Sequence, residues 1–171
     1  DAVKLEGGAE IADKVKAIVD AGVPVMGHIG LKPQTSSLWE GYRLQGRTAE
    51  SARRLVQDAQ ALEKAGVFSI VLEMVASEVA EVVTRKVSVP TIGIGSGPGC
   101  DGQVLVLHDL LGIYEDMKPK FVKRYAELAR PILDAVLRYT QDVKAGKFPE
   151  EISTFHMSPE ELEKFRGKNK K

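Results

Sequence analysis

Short apolar runs alternate along the chain with longer stretches in which apolar residues recur every three or four positions. The short runs are rich in β-branched residues and predict four strands, at residues 3–6, 23–28, 67–75 and 89–95. The longer stretches predict amphipathic helices between the strands, one starting near Thr48 and ending at Gly66. Strands that alternate with helices are typical of a parallel sheet with crossover helices, so the predicted fold class is α/β.

The pattern beyond residue 100 predicts helices only. We expect a helix over residues 101–111, followed by a long amphipathic helix through Leu128, Ile132 and Val136 that kinks or restarts at Pro131. The last residues, 158–171, begin like a short capped helix and end in a run of charges that is expected to fray.

Four ionisable residues interrupt the predicted strands. Lys4 and Glu6 share one face of the first strand because successive side chains alternate. His28 closes the second strand, and Glu73 lies near the carboxyl end of the third. Strands of a parallel sheet are usually apolar on both faces, so these residues are the informative exceptions. Because catalytic groups of β/α barrels lie at the carboxyl ends of the strands, all four are candidate active-site residues.

Each candidate also has a structural explanation, and these alternatives stay open. Lys4 and Glu6 can neutralise each other as an ion pair. A carboxylate buried in an apolar strand requires a cationic partner, which would explain Glu73 without a catalytic role. Neutral imidazole packs and hydrogen-bonds readily, so His28 can be a core residue.

A glycine-rich segment, GIGSGPGCDG, follows the fourth predicted strand at residues 93–102. Glycines let backbone N–H groups approach a phosphate, but the segment does not match GxGxxG, and no acidic residue follows at the usual distance. A Rossmann-type nucleotide domain is therefore disfavoured, and a close strand-to-helix turn that leaves room for a ligand is preferred. Asp101, His108 and Asp109 are expected to be cap and packing residues.

Composition narrows the classes of partner. The 171 residues contain 24 Lys plus Arg and 24 Asp plus Glu, so the formal net charge is +0 and no nucleic-acid or anionic-membrane partner is expected. Cys100 is the only cysteine, which excludes an internal disulfide and fits a reducing, cytoplasmic location. We expect no membrane span and no leader, because the sequence contains no suitable apolar run. A small-molecule ligand is the expected partner.

Several motifs occur in order from residue 1 to about residue 157: KLEGG, VPVMGHIGLKPQ with GYRLQGR, IVLEMV, VPTIGIGSGPGCDGQVLVLHDLLGI and FPEEISTFHM. Together they resemble the ketopantoate hydroxymethyltransferase family. The resemblance implies a (β/α)8 TIM barrel of the phosphoenolpyruvate/pyruvate superfamily type. This chain would be a partial barrel, strands four to eight, because VKLEGG resembles the fourth strand. Residues 1–157 would be the C-terminal part of a single catalytic domain and 158–171 a charged tail.

The resemblance also implies a role for each candidate residue. Glu6 matches the glutamate that holds Mg²⁺ together with two aspartates from earlier strands, which have no counterpart in this chain. Lys4 matches a lysine that contacts the keto-acid substrate, and His28 matches a histidine near that substrate. Glu73 matches the catalytic base, which would remove the C3 proton.

The implied reaction transfers a hydroxymethyl group from 5,10-methylenetetrahydrofolate to 3-methyl-2-oxobutanoate and gives 2-dehydropantoate for pantothenate synthesis. A homo-oligomer, decameric in many relatives, is implied as well. The loop with Trp39 and Tyr42 is either a wall or lid of the site, or a packing or subunit contact. The rival interpretations are another barrel enzyme that enolises a metal-bound 2-keto acid, such as a lyase or mutase, and a non-catalytic fragment.

Overall fold

The computed structural model describes residues 1–34, 43–117 and 119–167. These residues form two compact units, Asp1–Ala126 and Glu127–Lys171. The first unit contains the whole sheet and every candidate residue named above, and the second contains helices only. The predicted boundary between residues 157 and 158 concerns the family's domain and stays a prediction.

The first unit is built on a parallel sheet of five strands whose order in the sheet follows their order in the chain. The strands are β1 (Val3–Glu6), β2 (Val25–Gly30), β3 (Ser69–Glu73), β4 (Thr91–Ile94) and β5 (Gly102–Gln103). In this register His28 lies opposite Glu6 on one side and Val71 on the other, and Gly30 lies opposite Glu73. The predicted α/β class with a parallel sheet is confirmed.

Helices α1 (Ala12–Asp20), α2 (Ala49–Ala65) and α3 (Ser77–Lys86) connect the first four strands, with a short 3₁₀ turn at Ala9–Ile11 before α1. They bury their apolar sides against one face of the sheet, as their sequence periodicity predicts. The fully buried members of this core include Val15, Ala59, Leu62, Ile70, Leu72 and Val83. Because the helices cover this face of the sheet, a strand side chain that points away from the helix-side core lies on the opposite face.

Several boundaries differ from the sequence-based expectation, and β3 and β4 are shorter than the predicted strands 67–75 and 89–95. Residues 101–111 are not one helix: Gly102 and Gln103 pair with β4 as β5, and only Leu107–Leu110 is helical (α4). Asp101 does not cap a helix, because its Oδ2 accepts from the N–H (2.8 Å) and Oγ1 (3.0 Å) of Thr91. The glycine-rich segment therefore joins a strand to a strand. The second strand also extends two residues past His28, to Gly30.

The start of α2 is set by a capping box. Oγ1 of Thr48 accepts from the N–H of Ser51 (3.1 Å), and Oγ of Ser51 accepts from the N–H of Thr48 (3.0 Å). The helix ends at Gly66, which has the left-handed conformation (φ 98°) common at helix ends. Both predicted boundaries of this helix are confirmed.

Replacing Thr48 by Ala is expected to lower the free energy of unfolding by about 1 kcal/mol, because the amide of Ser51 loses its acceptor. Urea titration followed by circular dichroism measures the change. Thr48→Ser keeps the capping oxygen and is the matched control, expected to stay within about 0.5 kcal/mol of the wild type. Equal losses in the two variants would show that the cap oxygen does not stabilise the helix.

The second unit contains α5 (Ala129–Lys144) and α6 (Pro159–Gly167), with a 3₁₀ turn at Glu151–Ser153. Pro131 lies in the first turn of α5, where its missing N–H costs nothing, so one helix runs from Ala129 through the proline to Lys144. Oγ of Ser158 accepts from the N–H of Glu161 (3.4 Å), which fits the predicted capped start of α6. Within the ranges that the structure describes, no helix is long and apolar enough to cross a membrane.

Candidate functional site

The face of the sheet opposite the helices carries the candidate residues. Leu5 packs against the helix-side core, whereas Lys4 lines a cavity of about 770 Å³ on the opposite side, as strand alternation predicts. His28 and Glu73 line the same cavity, and its other walls are mainly apolar side chains, among them Met26, Val71, Ile92, Ile94 and Tyr114. The sheet thus brings polar groups from three adjacent strands to one apolar cavity.

His28 and Glu73 are in direct contact. Nε2 of His28 lies 3.1 Å from Oε2 of Glu73 and 3.0 Å from the carbonyl oxygen of Leu31. A backbone carbonyl can only accept a hydrogen bond, so Nε2 must carry a proton. His28 is 2% exposed and the Glu73 side chain 14%, so the contact is shielded from bulk water. The backbone carbonyl therefore fixes which nitrogen of His28 is protonated beside Glu73.

The other nitrogen of His28 has no such partner. Nδ1 is buried and, within the described part of the chain, makes no hydrogen bond. The nearest carboxylate oxygen in an ion-pair geometry is Oε1 of Glu6, at 4.0 Å. The second oxygen of Glu6, Oε2, accepts from the backbone N–H of Gln34 (3.1 Å). Buried polar atoms are rarely left unpaired, so the structural explanation of His28 as a satisfied core residue accounts for only one of its two nitrogens.

Lys4 does not neutralise Glu6. The ion pairs of residues 1–34, 43–117 and 119–167 include none between these two side chains within 4.0 Å, so the structural ion pair considered from the sequence is not formed. Lys4 is exposed where it lines the cavity. An ammonium on an open wall is available to bind an anionic ligand.

The backbone on either side of Glu73 is held by hydrogen bonds from neighbouring strands. Its carbonyl accepts from the N–H of Leu31 (2.8 Å), and the N–H of Met74 donates to the carbonyl of Ile94 (2.9 Å). Met74 has φ of +52°, the left-handed conformation that non-glycine residues rarely adopt. Strained backbone at such a position persists only where the surroundings impose it, and it directs the chain out of the sheet immediately after Glu73.

Ser96 is a supporting residue that sequence reasoning missed. Its buried Oγ accepts from the N–H of Val75 (3.0 Å) and donates to the carbonyl of Leu72 (2.7 Å). These two hydrogen bonds connect the end of β4 to the backbone just before Glu73 and just after Met74. The available signal was a serine inside a glycine-rich turn directly after a strand, but this pattern does not reveal the partner strand.

Ser96→Ala is expected to reduce the free energy of unfolding by about 1–3 kcal/mol, because the N–H of Val75 and the carbonyl of Leu72 would lose a buried partner. Urea unfolding of the purified chain measures the loss. Ser88→Ala, at an exposed position between α3 and β4, is the matched control and is expected to change stability by less than about 0.5 kcal/mol. The interpretation fails if the two variants are equally stable.

The other residues singled out from the sequence do not all lie at the cavity of Glu73. Asp109 lines the cavity of Glu73, whereas Asp101 is committed to Thr91. Trp39 and Tyr42, the proposed wall or lid residues, lie outside the described residues. Among the residues that are described, no group of three or more His, Cys, Asp or Glu side chains could hold a metal ion. The described residues therefore supply no complete metal site around Glu6.

Two shifted acids lie outside the cavity of Glu73. Partial burial raises the pKa of Glu10, but hydrogen bonds from its own N–H, from Gly8 and from Lys32 outweigh this and leave the pKa below its usual value. Burial raises the pKa of the Cys100 thiol, which keeps the thiol protonated at neutral pH. Neither residue lines that cavity, so neither is assigned to its chemistry.

The fold and the site define a class: a parallel α/β protein whose polar groups meet at the carboxyl ends of the strands, the arrangement used by β/α enzymes. Comparison with known proteins makes this specific. Residues 1–151 match the family model described as ketopantoate hydroxymethyltransferase, and the chain belongs to that family. The membership inferred from the sequence motifs is thereby confirmed.

Three curated relatives illustrate the similarity, and all are called 3-methyl-2-oxobutanoate hydroxymethyltransferase. The protein of Nitrosopumilus maritimus (strain SCM1) is 59% identical over 97% of this chain and 60% of its own length. That of Cenarchaeum symbiosum (strain A) is 59% identical over 95% and 62%, and that of Syntrophobacter fumaroxidans 54% over 97% and 59%. The chain thus spans about three fifths of the length of these relatives.

Proposed function

We propose that this chain supplies the base-bearing part of a hydroxymethyltransferase that converts 3-methyl-2-oxobutanoate into 2-dehydropantoate with 5,10-methylenetetrahydrofolate as donor, in the biosynthesis of pantothenate. The observation that carries the proposal is the buried contact between His28 and Glu73 on the wall of a largely apolar cavity. Family membership supports the same activity.

The cavity has a cationic side chain for the carboxylate of the keto acid and apolar side chains for its isopropyl group. The carboxylate would bind the ammonium of Lys4, which is exposed on the cavity side of β1. The isopropyl group would lie against apolar side chains such as Val71, Ile92 and Ile94, where burial of apolar surface is favourable. In this orientation C3 would lie in the same cavity as Glu73.

Glu73 would act as the general base. Its Oε2 lies 3.1 Å from Nε2 of His28, and its other oxygen has no hydrogen bond from the described residues. The contact at Oε2 orients the carboxylate, and the other oxygen can take the C3 proton. His28 would be a positioning residue in this step, since its Nε2 proton is shared with the carbonyl of Leu31.

The transfer step balances with one molecule of water. C3 loses its proton and forms a bond to the methylene carbon of the donor, and both bonds from that carbon to the folate nitrogens break. Water supplies the hydroxyl group of the product. The remaining proton of water and the proton removed from C3 end on the two nitrogens of tetrahydrofolate.

This chain supplies part of the ligand set that a divalent metal would need. Glu6 is buried, with one oxygen bound by the N–H of Gln34 and the other facing the unpartnered Nδ1 of His28, so it can serve as one hard oxygen ligand for Mg²⁺. The resemblance assigns two further ligands to aspartates outside this chain. When bound, the ion would polarise the keto oxygen and stabilise the enolate.

The architecture of the longer protein is part of the proposal. The five parallel strands in sequential order would be strands four to eight of a (β/α)8 barrel, completed by three strands outside this chain. On the outer edge of the sheet, Val3 is 41% exposed and Lys4 is exposed as well. Further strands would cover that edge. A homo-oligomer, decameric by resemblance, would be detected by size-exclusion chromatography with light scattering.

The deciding experiment follows exchange of the C3 proton of 3-methyl-2-oxobutanoate in D₂O by NMR, with Mg²⁺ and without folate. Two proteins are compared: this chain, and the chain preceded by the region that the resemblance assigns to the first three strands, here called the extended protein. We expect exchange with the extended protein and none with this chain. Product formation is then measured with and without 5,10-methylenetetrahydrofolate, and we expect it to require the folate.

Each rival predicts another outcome. A lyase or mutase of the same superfamily would turn over a different 2-keto acid in a substrate panel without the folate. A non-catalytic protein would show neither exchange nor product in the extended form. Either result would overturn the proposed activity.

A further inference from the structure

Glu6 is the last residue of β1, and the chain leaves the sheet immediately after it. Within the described residues β1 pairs only with β2, so it lies at the edge of the sheet. A cavity of about 350 Å³ lies beside the turn that follows Glu6, and Gly7 and Gly8 form part of its lining. Because no side chain fills the space on that side, the position of the turn depends on its hydrogen bonds.

The three N–H groups that follow Glu6 each have an acceptor in a different part of the chain. The pairs are Gly7 to the carbonyl of His28 (3.0 Å), Gly8 to Oε2 of Glu10 (3.0 Å) and Ala9 to Oδ1 of Asp58 (2.9 Å). The first acceptor belongs to β2, and the second belongs to the turn itself. Only Asp58 lies on an α-helix, α2, and it is 49 residues away from its donor along the chain.

The carboxylate of Asp58 also packs on the backbone of the turn. A Cβ added at Gly8 would lie 2.2 Å from Cγ and 2.3 Å from Oδ1 of Asp58, so any larger residue there would displace the carboxylate. On α2, Asp58 is flanked by Leu55 and Ala59, which are both buried in the core. Close-packed neighbours hold the helix in place, and Asp58 is therefore a fixed point against which the turn rests.

The side chain of Glu6 is sensitive to the position of this turn. It is 6% exposed, its Oε2 accepts from the N–H of Gln34 (3.1 Å), and its Oε1 lies 4.0 Å from Nδ1 of His28. A group that binds a ligand must be held within about 0.5 Å of its productive position. A shift of the turn would move the end of β1 and carry the carboxylate of Glu6 with it.

We propose that Asp58 is a positioning residue for Glu6, which it holds in place through the N–H of Ala9 and the backbone of Gly8. The inference rests on the proposed function, in which Glu6 is an oxygen ligand of a divalent cation. Asp58 does not line the cavity of Glu73, so it would act through the backbone and not by contact with the keto acid.

Binding of Mn²⁺ to the extended protein, followed by the loss of the EPR signal of the free ion, tests the inference without a catalytic step. Mn²⁺ takes the same oxygen ligands as Mg²⁺. Asp58→Asn removes the charge but keeps an oxygen that accepts from Ala9, and we expect the dissociation constant to stay within twofold of the wild type. Asp58→Glu keeps the charge but adds a methylene group where Gly8 is already in contact, and we expect a rise of at least fivefold.

Asp58→Ala and Glu63→Ala form a matched pair that controls for stability. Both carboxylates lie half-buried on α2 and accept from a backbone N–H, which for Glu63 is that of Ser88. Ser88 precedes β4 and so lies near the amino ends of the strands, whereas Glu6 lies at the carboxyl end of its strand. Urea unfolding is expected to show comparable losses of stability, but only Asp58→Ala should raise the dissociation constant of Mn²⁺ at least fivefold.

The pattern of binding across the variants decides the role of Asp58. Weaker binding in Asp58→Glu and Asp58→Ala, with nearly unchanged binding in Asp58→Asn, supports the inference. Weak binding in Asp58→Asn with tight binding in Asp58→Glu would show that the charge acts and not the position, and would overturn it. Equal weakening in Asp58→Ala and Glu63→Ala would overturn it as well, because the effect would follow stability alone.

The C3-exchange assay separates this inference from the proposed function. Exchange in the wild-type extended protein, with unchanged Mn²⁺ binding in every Asp58 variant, would overturn the inference and leave the proposed function intact. A wild type that binds Mn²⁺ but does not exchange would overturn the proposed function, and the binding comparison would then decide the role of Asp58. A wild type that neither exchanges nor binds Mn²⁺ would overturn both.

Discussion

Glu73→Gln in the extended protein is expected to slow exchange of the C3 proton of 3-methyl-2-oxobutanoate by about 10²–10⁴-fold, the usual contribution of a general base. Gln keeps an oxygen that can accept from Nε2 of His28, so the contact that orients the side chain survives. What the substitution removes is the ability to take a proton. The fold is expected to be retained, since the volume and the hydrogen-bonding edge of the side chain are almost the same.

The measurement is NMR exchange in D₂O with saturating keto acid and Mg²⁺, so that the difference reports the rate constant and not binding. Glu78→Gln, at an exposed position in the first turn of α3, is the matched control and is expected to exchange at the wild-type rate. If Glu73→Gln exchanges as fast as wild type, the base has been misassigned. His28, whose Nδ1 has no partner among the described residues, would then be the next candidate.

The parts of the fold that the sequence predicts correctly are those set by local signals. The helix from Thr48 to Gly66 has a capping box at one end and a left-handed glycine at the other, and both are determined by residues within one turn. The first strand, 3–6, has the predicted bounds, and alternation along it correctly separates Lys4 from Leu5. For the same reason the site could be predicted as a set of residues on one face.

The parts that were missed depend on partners distant in the chain. Residues 101–111 have an apolar pattern compatible with a helix, but Gly102 and Gln103 pair with β4, and Asp101 binds the N–H of Thr91 ten residues earlier. No local propensity encodes that pairing. The contact between His28 and Glu73 and the bridging role of Ser96 likewise require the register of three strands, which periodicity alone does not supply.

Gly30→Ala is expected to be the most damaging small substitution near the site, with a loss of about 3 kcal/mol or more in the free energy of unfolding. Gly30 has φ of +95°, a conformation that costs an L-residue about 1–2 kcal/mol. In addition, the new Cβ would lie 2.2 Å from the carbonyl oxygen of Glu73 and 2.7 Å from Cγ2 of Val75. The first of these atoms belongs to a backbone that cannot rotate away, so β2 and β3 must separate at the candidate base.

Gly22→Ala separates the two causes. Gly22 also has positive φ, +86°, but a Cβ added there would meet nothing within 4 Å. This control therefore carries the backbone strain alone, about 1–2 kcal/mol, and urea unfolding of both variants should show a difference of at least about 1 kcal/mol between them. In the extended protein only Gly30→Ala should also reduce C3 exchange, because the carbonyl of Glu73 would lose the N–H of Leu31. Equal losses of stability would mean that the strands move apart at little cost and that the close approach at Gly30 does not hold Glu73 in position.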